Sequence, residues 1–123
     1  MAREIPCGPY IATVSEADYE YLSQWRWTYL VTSSRHGKRV YARRGGGRDR
    51  QGGYRATILM HVVILERAEG PRPDALHTPN HRDWDTLNNQ RDNLHWASKA
   101  EQNAYQRRYR KPKLKRQETE VPF

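Results

Sequence analysis

The stretch from Pro79 to Ala104, PNHRDWDTLNNQRDNLHWASKAEQNA, constrains this chain more than any other. It sets His81 beside an amide side chain, Asn80, and follows the pair with a loop dense in Asp and Asn. It closes on Ser98-Lys99-Ala100-Glu101, a Ser-x-x-Glu capping box that predicts the start of a helix. A neutral imidazole can take a proton from water near neutral pH, and neighbouring side-chain oxygens can hold a cation against a phosphate. That order of parts points to metal-assisted phosphodiester chemistry.

These residues resemble the HNH family of nucleases, also called the ββα-metal or His-Me finger family, and in particular its small phage and intron-encoded homing endonucleases. The residues that carry the likeness are Asn80-His81, Asp83-Trp84-Asp85, Leu87-Asn88-Asn89-Gln90-Arg91, Asn93-Leu94-His95-Trp96 and Ser98-Lys99-Ala100-Glu101-Gln102-Asn103. The resemblance extends upstream through EIPCGPYIATVSEADYEYLSQWRW, VYARR and ILMHVVIL, and so covers most of residues 4 to 104. Several motifs in the right order carry more weight than any one of them.

The resemblance implies roles. His81 stands where the family places its general base, and Asn93 is the central Asn, expected to tie the loop together and orient the base through hydrogen bonds. Asn80 stands where the family has an Asp metal ligand; it offers a carbonyl oxygen but no charge, which weakens a Mg²⁺ site. The second ligand is Gln102 by alignment from His81 or Asn103 by residue type, and one helical step of about 100° keeps both from pointing alike. The implied cofactor is a divalent cation, Mg²⁺ or Mn²⁺, and not zinc. Asp83 and Asp85 normally shape the loop, and Asn88 and Asn89 are read as belonging to it. His95, where the family has Arg, either contacts a phosphate or faces solvent. Trp84 replaces a Gly; if that position needs positive φ, Trp is a costly choice and the loop is expected to be rebuilt.

Charge points to a polyanionic partner. Lys and Arg total 22 against 14 acids, for a net charge of +8. Candidate phosphate contacts are Arg43, Arg44 and Arg48 in the Gly-rich loop RRGGGRDRQGG, Arg91, and Arg107, Arg108, Arg110 and Lys111 in a segment with seven basic side chains between residues 107 and 116. The loop reads equally well as a solvated hairpin tip, and its spacing excludes a nucleotide-binding P-loop. No apolar run approaches the roughly 20 residues of a membrane span, and the N-terminus has no signal-peptide pattern. The single cysteine, Cys7, excludes an intrachain disulfide scaffold and a Cys-based zinc ribbon, and fits a reducing cytoplasm.

Apolar material is scarce, with 36% hydrophobic residues and a mean hydropathy of −1.11. Four Trp and eight Tyr are therefore expected to supply much of the core. Residues 4 to 14 read as a strand. Ser15 reads as an N-cap, with Asp18 at the third position of a helix over about 16 to 24 that aligns Tyr19, Leu22 and Trp25. Trp27 to Thr32 and Arg39 to Arg43 read as paired strands, with Gly37 available for positive φ in the turn. Over residues 58 to 70 the resemblance favours a helix where periodicity leaves strand open, and His61 within it reads as a core histidine bonded to backbone.

The expected fold is α+β, with a β-rich N-terminal half carrying short helices and a C-terminal ββα-metal core. Residues 1–72 form a DNA-contacting region, 73–110 the nuclease core, and 111–123 a basic tail too poor in apolar residues to fold alone. The expected activity is DNA hydrolysis, with specificity left to the N-terminal half, the tail, a second subunit such as a homodimer partner, or another protein. Asn80 and Trp84 support a rival reading, a nucleic-acid-binding module on a degraded nuclease fold. A third, a basic structural protein of a phage or ribonucleoprotein particle, does not need the ordered motif.

Overall fold

The computed structural model describes residues 1–34, 37–45, 50–53 and 56–104. It is strand-rich α+β. Residues 4 to 14 form a hairpin rather than one strand, β1 (Ala2–Cys7) and β2 (Tyr10–Ser15), antiparallel with Ile5 opposite Ala12. Gly8 makes the turn at φ +64, and a Cβ there would come within 2.8 Å of the Tyr29 ring, so glycine is required twice over.

Helix α1 (Glu16–Leu22) follows directly, shorter than its pattern suggests. Trp25 lies beyond it and packs edge-to-face on Tyr21 at 5.0 Å. Ser15 occupies the N-cap position, but its Oγ accepts a hydrogen bond from the Arg91 backbone N–H at 2.9 Å instead of capping the helix. Asp18 is likewise drawn into tertiary structure. Its side chain is fully buried; Oδ1 accepts from Arg67 Nε at 3.1 Å and Arg91 Nη2 at 2.7 Å, and Oδ2 from Arg91 Nε at 2.9 Å. Burial alone would raise the Asp18 pKa, but the hydrogen bonds and charges of Arg91 and Arg67 outweigh it and hold the carboxyl below its ordinary value.

Strands β3 (Thr28–Ser34) and β4 (Gly37–Gly45) pair antiparallel as the sequence suggests, and Gly37 has φ 110. β5 (Thr57–Leu59) adds to the far edge of β4. Helix α2 (Met60–Glu69) runs on from β5 and ends at Gly70, φ 90. β6 (Thr78–His81) pairs antiparallel with β8 (Leu94–Ala97), placing Asn80 opposite His95. Between them lie β7 (Asn88–Asn89) and a 3₁₀ turn, Arg91–Asn93. Ser98 and Glu101 close the expected capping box, Ser98 N donating to Glu101 Oε1 at 2.7 Å and Glu101 N to Ser98 Oγ at 3.2 Å, and residues 99–104 are helical.

One core joins residues on both sides of residue 72. Ile5, Cys7, Ala12, Val14, Leu22, Trp27, Ala42, Met60, Ile64, Leu65, Leu94 and Trp96 form a single buried cluster. Its substance is mainly aliphatic; each fully buried Leu or Ile contributes about 1.5–3 kcal/mol. Of the aromatics, Trp27 and Trp96 enter it, each with its indole N–H satisfied, on Leu22 O at 2.8 Å and Gly70 O at 3.1 Å. No tyrosine among the described residues is fully buried, so the expectation of a Tyr-rich core does not hold. The short strand β7 runs parallel to β2, with Thr13 opposite Asn88 and Val14 opposite Asn89. That pairing ties the N-terminal hairpin to the loop after His81.

Candidate active site

The loop from His81 to Asn93 is built from its own polar side chains. Asp83 Oδ1 accepts from Asp85 N at 2.9 Å and Asn93 Nδ2 at 2.9 Å, and its Oδ2 from Asn88 Nδ2 at 2.8 Å. Asp85 Oδ1 accepts from Leu87 N at 3.0 Å, an Asx-type turn. Burial works to raise the Asp83 pKa, but hydrogen bonds from Asn88, Asp85 N and Asn93 hold it below the ordinary value. Buried Asn93 closes the loop: Oδ1 accepts from Asp83 N at 3.0 Å, and Nδ2 also donates to Asn88 O at 2.7 Å. Trp84 sits at φ 68, in the left-handed region that is costly for a bulky side chain. Thr86 Oγ1 anchors it to the N-terminal sheet by donating to Val40 O at 2.5 Å.

His81 ends β6 and is 6% exposed. Its Nε2 lies 2.8 Å from Asn89 Oδ1. An amide oxygen only accepts, so this bond requires Nε2–H and leaves the lone pair of the neutral ring on Nδ1. Burial pushes the His81 pKa down, against the raising effects of the Asn89 bond, Asp83 and Asp85; Arg39 lowers it further. The ring is thus held neutral in one tautomer, the state a general base needs. The residue that touches it is Asn89, not Asn93, which acts at one remove by closing the loop. Asn89 is fully buried and is placed by the β2–β7 pairing. The sequence marks it only as half of an Asn-Asn pair, and no local signal separates it from Asn88.

His81 opens into a cleft of about 400 Å³. One wall is a face of the β3–β4–β5 sheet: Leu30, Thr32, Arg39, Tyr41 and Leu59. The other comprises Pro79, Asn80, His81, Trp84 and Thr86, with His61 at the base of α2. His61 is a core residue, 4% exposed, as expected, but no hydrogen bond to backbone is seen among the described residues. Its ring meets His81 at 4.9 Å between centroids and Tyr41 at 5.5 Å, and its Nδ1 is buried without a protein hydrogen-bond partner among the described residues. Burial, and secondarily the charge His81 can carry, push its pKa down to about 3, so it stays neutral.

Asn80 lines the cleft beside His81 with its Nδ2 buried and unpartnered among the described residues, which leaves Oδ1 as the end able to meet a cation. Gln102 is half-buried, and its Nε2 donates to Ala97 O at 3.1 Å and Leu76 O at 3.3 Å; Asn103 is exposed. Neither lines the cleft, and no carboxylate among the described residues does. Among the described residues no group of three or more His, Cys, Asp or Glu is placed to hold a metal. The donor set fits a cation that draws most of its oxygens from substrate and water, with a neutral protein oxygen at Asn80.

The basic residues divide. Arg91, read from sequence as a phosphate contact, is paired with Asp18. Arg44 stacks its guanidinium 4.1 Å from the Trp25 ring centroid, and Arg43 Nε donates to Tyr29 O at 3.2 Å. His95 does not face solvent; it is buried behind Asn80 on β8, and burial, then Arg82, lower its pKa. Arg48, Arg107, Arg108, Arg110 and Lys111 lie outside the described residues.

Residues 59–104 match a family model described as HNH endonuclease. This segment is therefore similar to HNH endonucleases. It spans α2, the β6–β8 ribbon, the Asp/Asn loop and residues 99–104, and leaves the β3–β4 wall of the cleft outside. Neither the curated proteins nor the solved structures gave a match.

Proposed function

We propose that this chain is a divalent-metal-dependent HNH endonuclease that hydrolyses DNA phosphodiester bonds, of the small homing or phage-encoded type. The observation that supports it best is the His81–Asn89 hydrogen bond, which commits Nε2 as donor and leaves Nδ1 as the basic nitrogen at a cleft. In this reading Nδ1 takes a proton from water. The water oxygen forms a new bond to phosphorus, one ester P–O bond breaks, and the departing oxygen takes up a proton. Asn93 keeps the loop closed so that the strands bearing His81 and Asn89 stay in place.

Gln102 and Asn103, the second ligands the resemblance implies, do not line this cleft. Asn80 and the substrate's phosphate oxygens would hold the cation, Mg²⁺ or Mn²⁺. When bound it supplies positive charge to the scissile phosphate and the leaving oxygen. The β6–β8 ribbon and the helix over 99–104 are the ββα unit of this reading. Arg43, Arg44, Arg48, Arg107, Arg108, Arg110 and Lys111 are the proposed phosphate contacts. Arg91 is left out because its guanidinium is engaged by Asp18. No helix among the described residues is long and apolar enough to cross a membrane.

The neutral residue at Asn80 favours a second reading, a nucleic-acid-binding module with a weakened site. Incubating supercoiled plasmid with the full chain, with Mg²⁺ or Mn²⁺ or with chelator, separates the two. Relaxed circles that form only with metal support the nuclease. Retention of plasmid without nicking in either metal overturns it in favour of the binding module.

A further inference from the structure

The β3–β4 part of the cleft wall opposite His81 lies outside the segment matched to the HNH family, and its residues have no part in the reading so far. Cross-strand pairs put Thr32 opposite Arg39 and Leu30 opposite Tyr41. Side chains two apart on a strand share a face, so Arg39 and Tyr41 project to the same side of the sheet. All four line the cleft.

Arg39 is the one permanently charged side chain among the described residues that line it. The nearby carboxylates of Asp83 and Asp85 accept hydrogen bonds within their own loop. The described lining therefore presents one permanent positive charge and no carboxylate. Arg39 and His81 line the same cleft. The Arg39 guanidinium carbon also lies 6.0 Å from the Trp84 ring centroid. Trp84 holds a left-handed backbone conformation that disfavours a bulky side chain, and strained backbone of this kind concentrates at ligand-binding sites.

We propose that Arg39 binds a phosphate group of the DNA strand on which His81 acts, so that the β3–β4–β5 sheet supplies the anion anchor of the site. The inference rests on the nuclease reading for the identity of the strand, but not for the anion site itself. A guanidinium presents a planar fork that matches two phosphate oxygens, which a point charge cannot reproduce. Such an anchor matters more here than in a site with a carboxylate ligand. Asn80 brings no negative charge and holds a cation weakly, so more of the phosphate's charge is left for Arg39 to meet.

The test uses the full-length chain in four forms: wild type, Arg39→Gln, Arg39→Lys and, as a control, Lys38→Gln. Lys38 neighbours Arg39 on β4 but projects to the other face. Thermal unfolding first establishes that each variant is folded. Binding to a short duplex without divalent metal is then titrated against salt, and plasmid nicking is followed with metal.

Arg39→Gln is expected to lower the log–log salt slope by about 0.9, the share of one neutralised phosphate. It should also reduce nicking by about 10- to 100-fold, the scale of one charge-assisted hydrogen bond. Arg39→Lys should recover the slope but not the full rate, and Lys38→Gln should leave both near wild type. An Arg39→Gln protein with unchanged slope and affinity overturns the proposal, as does a Lys38→Gln protein with the same fall in both. A wild-type chain that never nicks, while Arg39→Gln still flattens the slope, overturns the hydrolytic reading and leaves Arg39 standing as a phosphate contact.

Discussion

Replacing Asp18 with Asn should destabilise the whole chain while leaving the cleft's residues in place. Asp18 has no exposed surface and receives three hydrogen bonds from two guanidiniums, one on α2 and one at the 3₁₀ turn of the Asp/Asn loop. Breaking a buried ion pair costs about 3–5 kcal/mol when the remaining charge stays buried. Here the Arg67 and Arg91 side chains are 32% and 37% exposed, so both can rehydrate, and the cost falls to about 2–3 kcal/mol. For a domain of this size that is a fall in Tm of about 10–15 °C. The pH dependence follows from the depressed Asp18 pKa. Its contribution is complete above the unfolded Asp value of about 3.9 and is lost as pH falls through the folded value. Thermal unfolding by circular dichroism should therefore show the full deficit of Asp18→Asn at neutral pH and a shrinking deficit under acid. A Tm within about 3 °C of wild type at neutral pH, or a deficit that does not shrink on acidification, refutes this account of the network.

Asn93→Ala removes three hydrogen bonds and strands the Asp83 N–H and the Asn88 carbonyl, so urea unfolding should show destabilisation by about 2–4 kcal/mol. An unchanged midpoint would mean the loop is held by other interactions. Asn80→Asp adds the charge that the cleft lacks; calorimetric titration should show tighter Mg²⁺ or Mn²⁺ binding, and unchanged binding counts against Asn80 as a ligand. Truncation after Gln106 should weaken duplex binding and flatten its salt dependence, by about 0.9 in slope for each phosphate no longer neutralised. If affinity and slope both stay the same, the DNA surface lies on the cleft and the strands beside it.

Local signals carry furthest where one residue's conformation or a short hydrogen bond decides the outcome. The Ser98–Glu101 box, the Gly37 turn and the β3–β4 pairing are of this kind, and each forms where its residues indicate. Ser15 and Asp18 mark the start of α1 where it forms, but their side chains do not cap it. Their oxygens meet partners 49 to 76 positions away: Ser15 Oγ takes the Arg91 backbone N–H, and Asp18 pairs with the Arg67 and Arg91 guanidiniums. The site follows the same rule. His81 and Asn93 are legible in their motif. Asn89, His61 and Arg39 are not, because what distinguishes them is the packing of three strands and a helix that come together only in the fold. The core departs from expectation for a related reason: tyrosine rings settle at the margins because their hydroxyls favour water, and Leu, Ile, Val and Met side chains with two Trp fill the interior.

The central claim is that His81, held as the Nε2–H tautomer by Asn89, is the base that activates water for DNA hydrolysis. The most direct measurement compares metal-dependent plasmid nicking by wild type and His81→Ala, with duplex affinity measured on the same preparations. The account predicts that nicking is abolished while affinity stays within a few-fold, because the base acts on water and adds little to binding. A His81→Ala protein that nicks at the wild-type rate would contradict it.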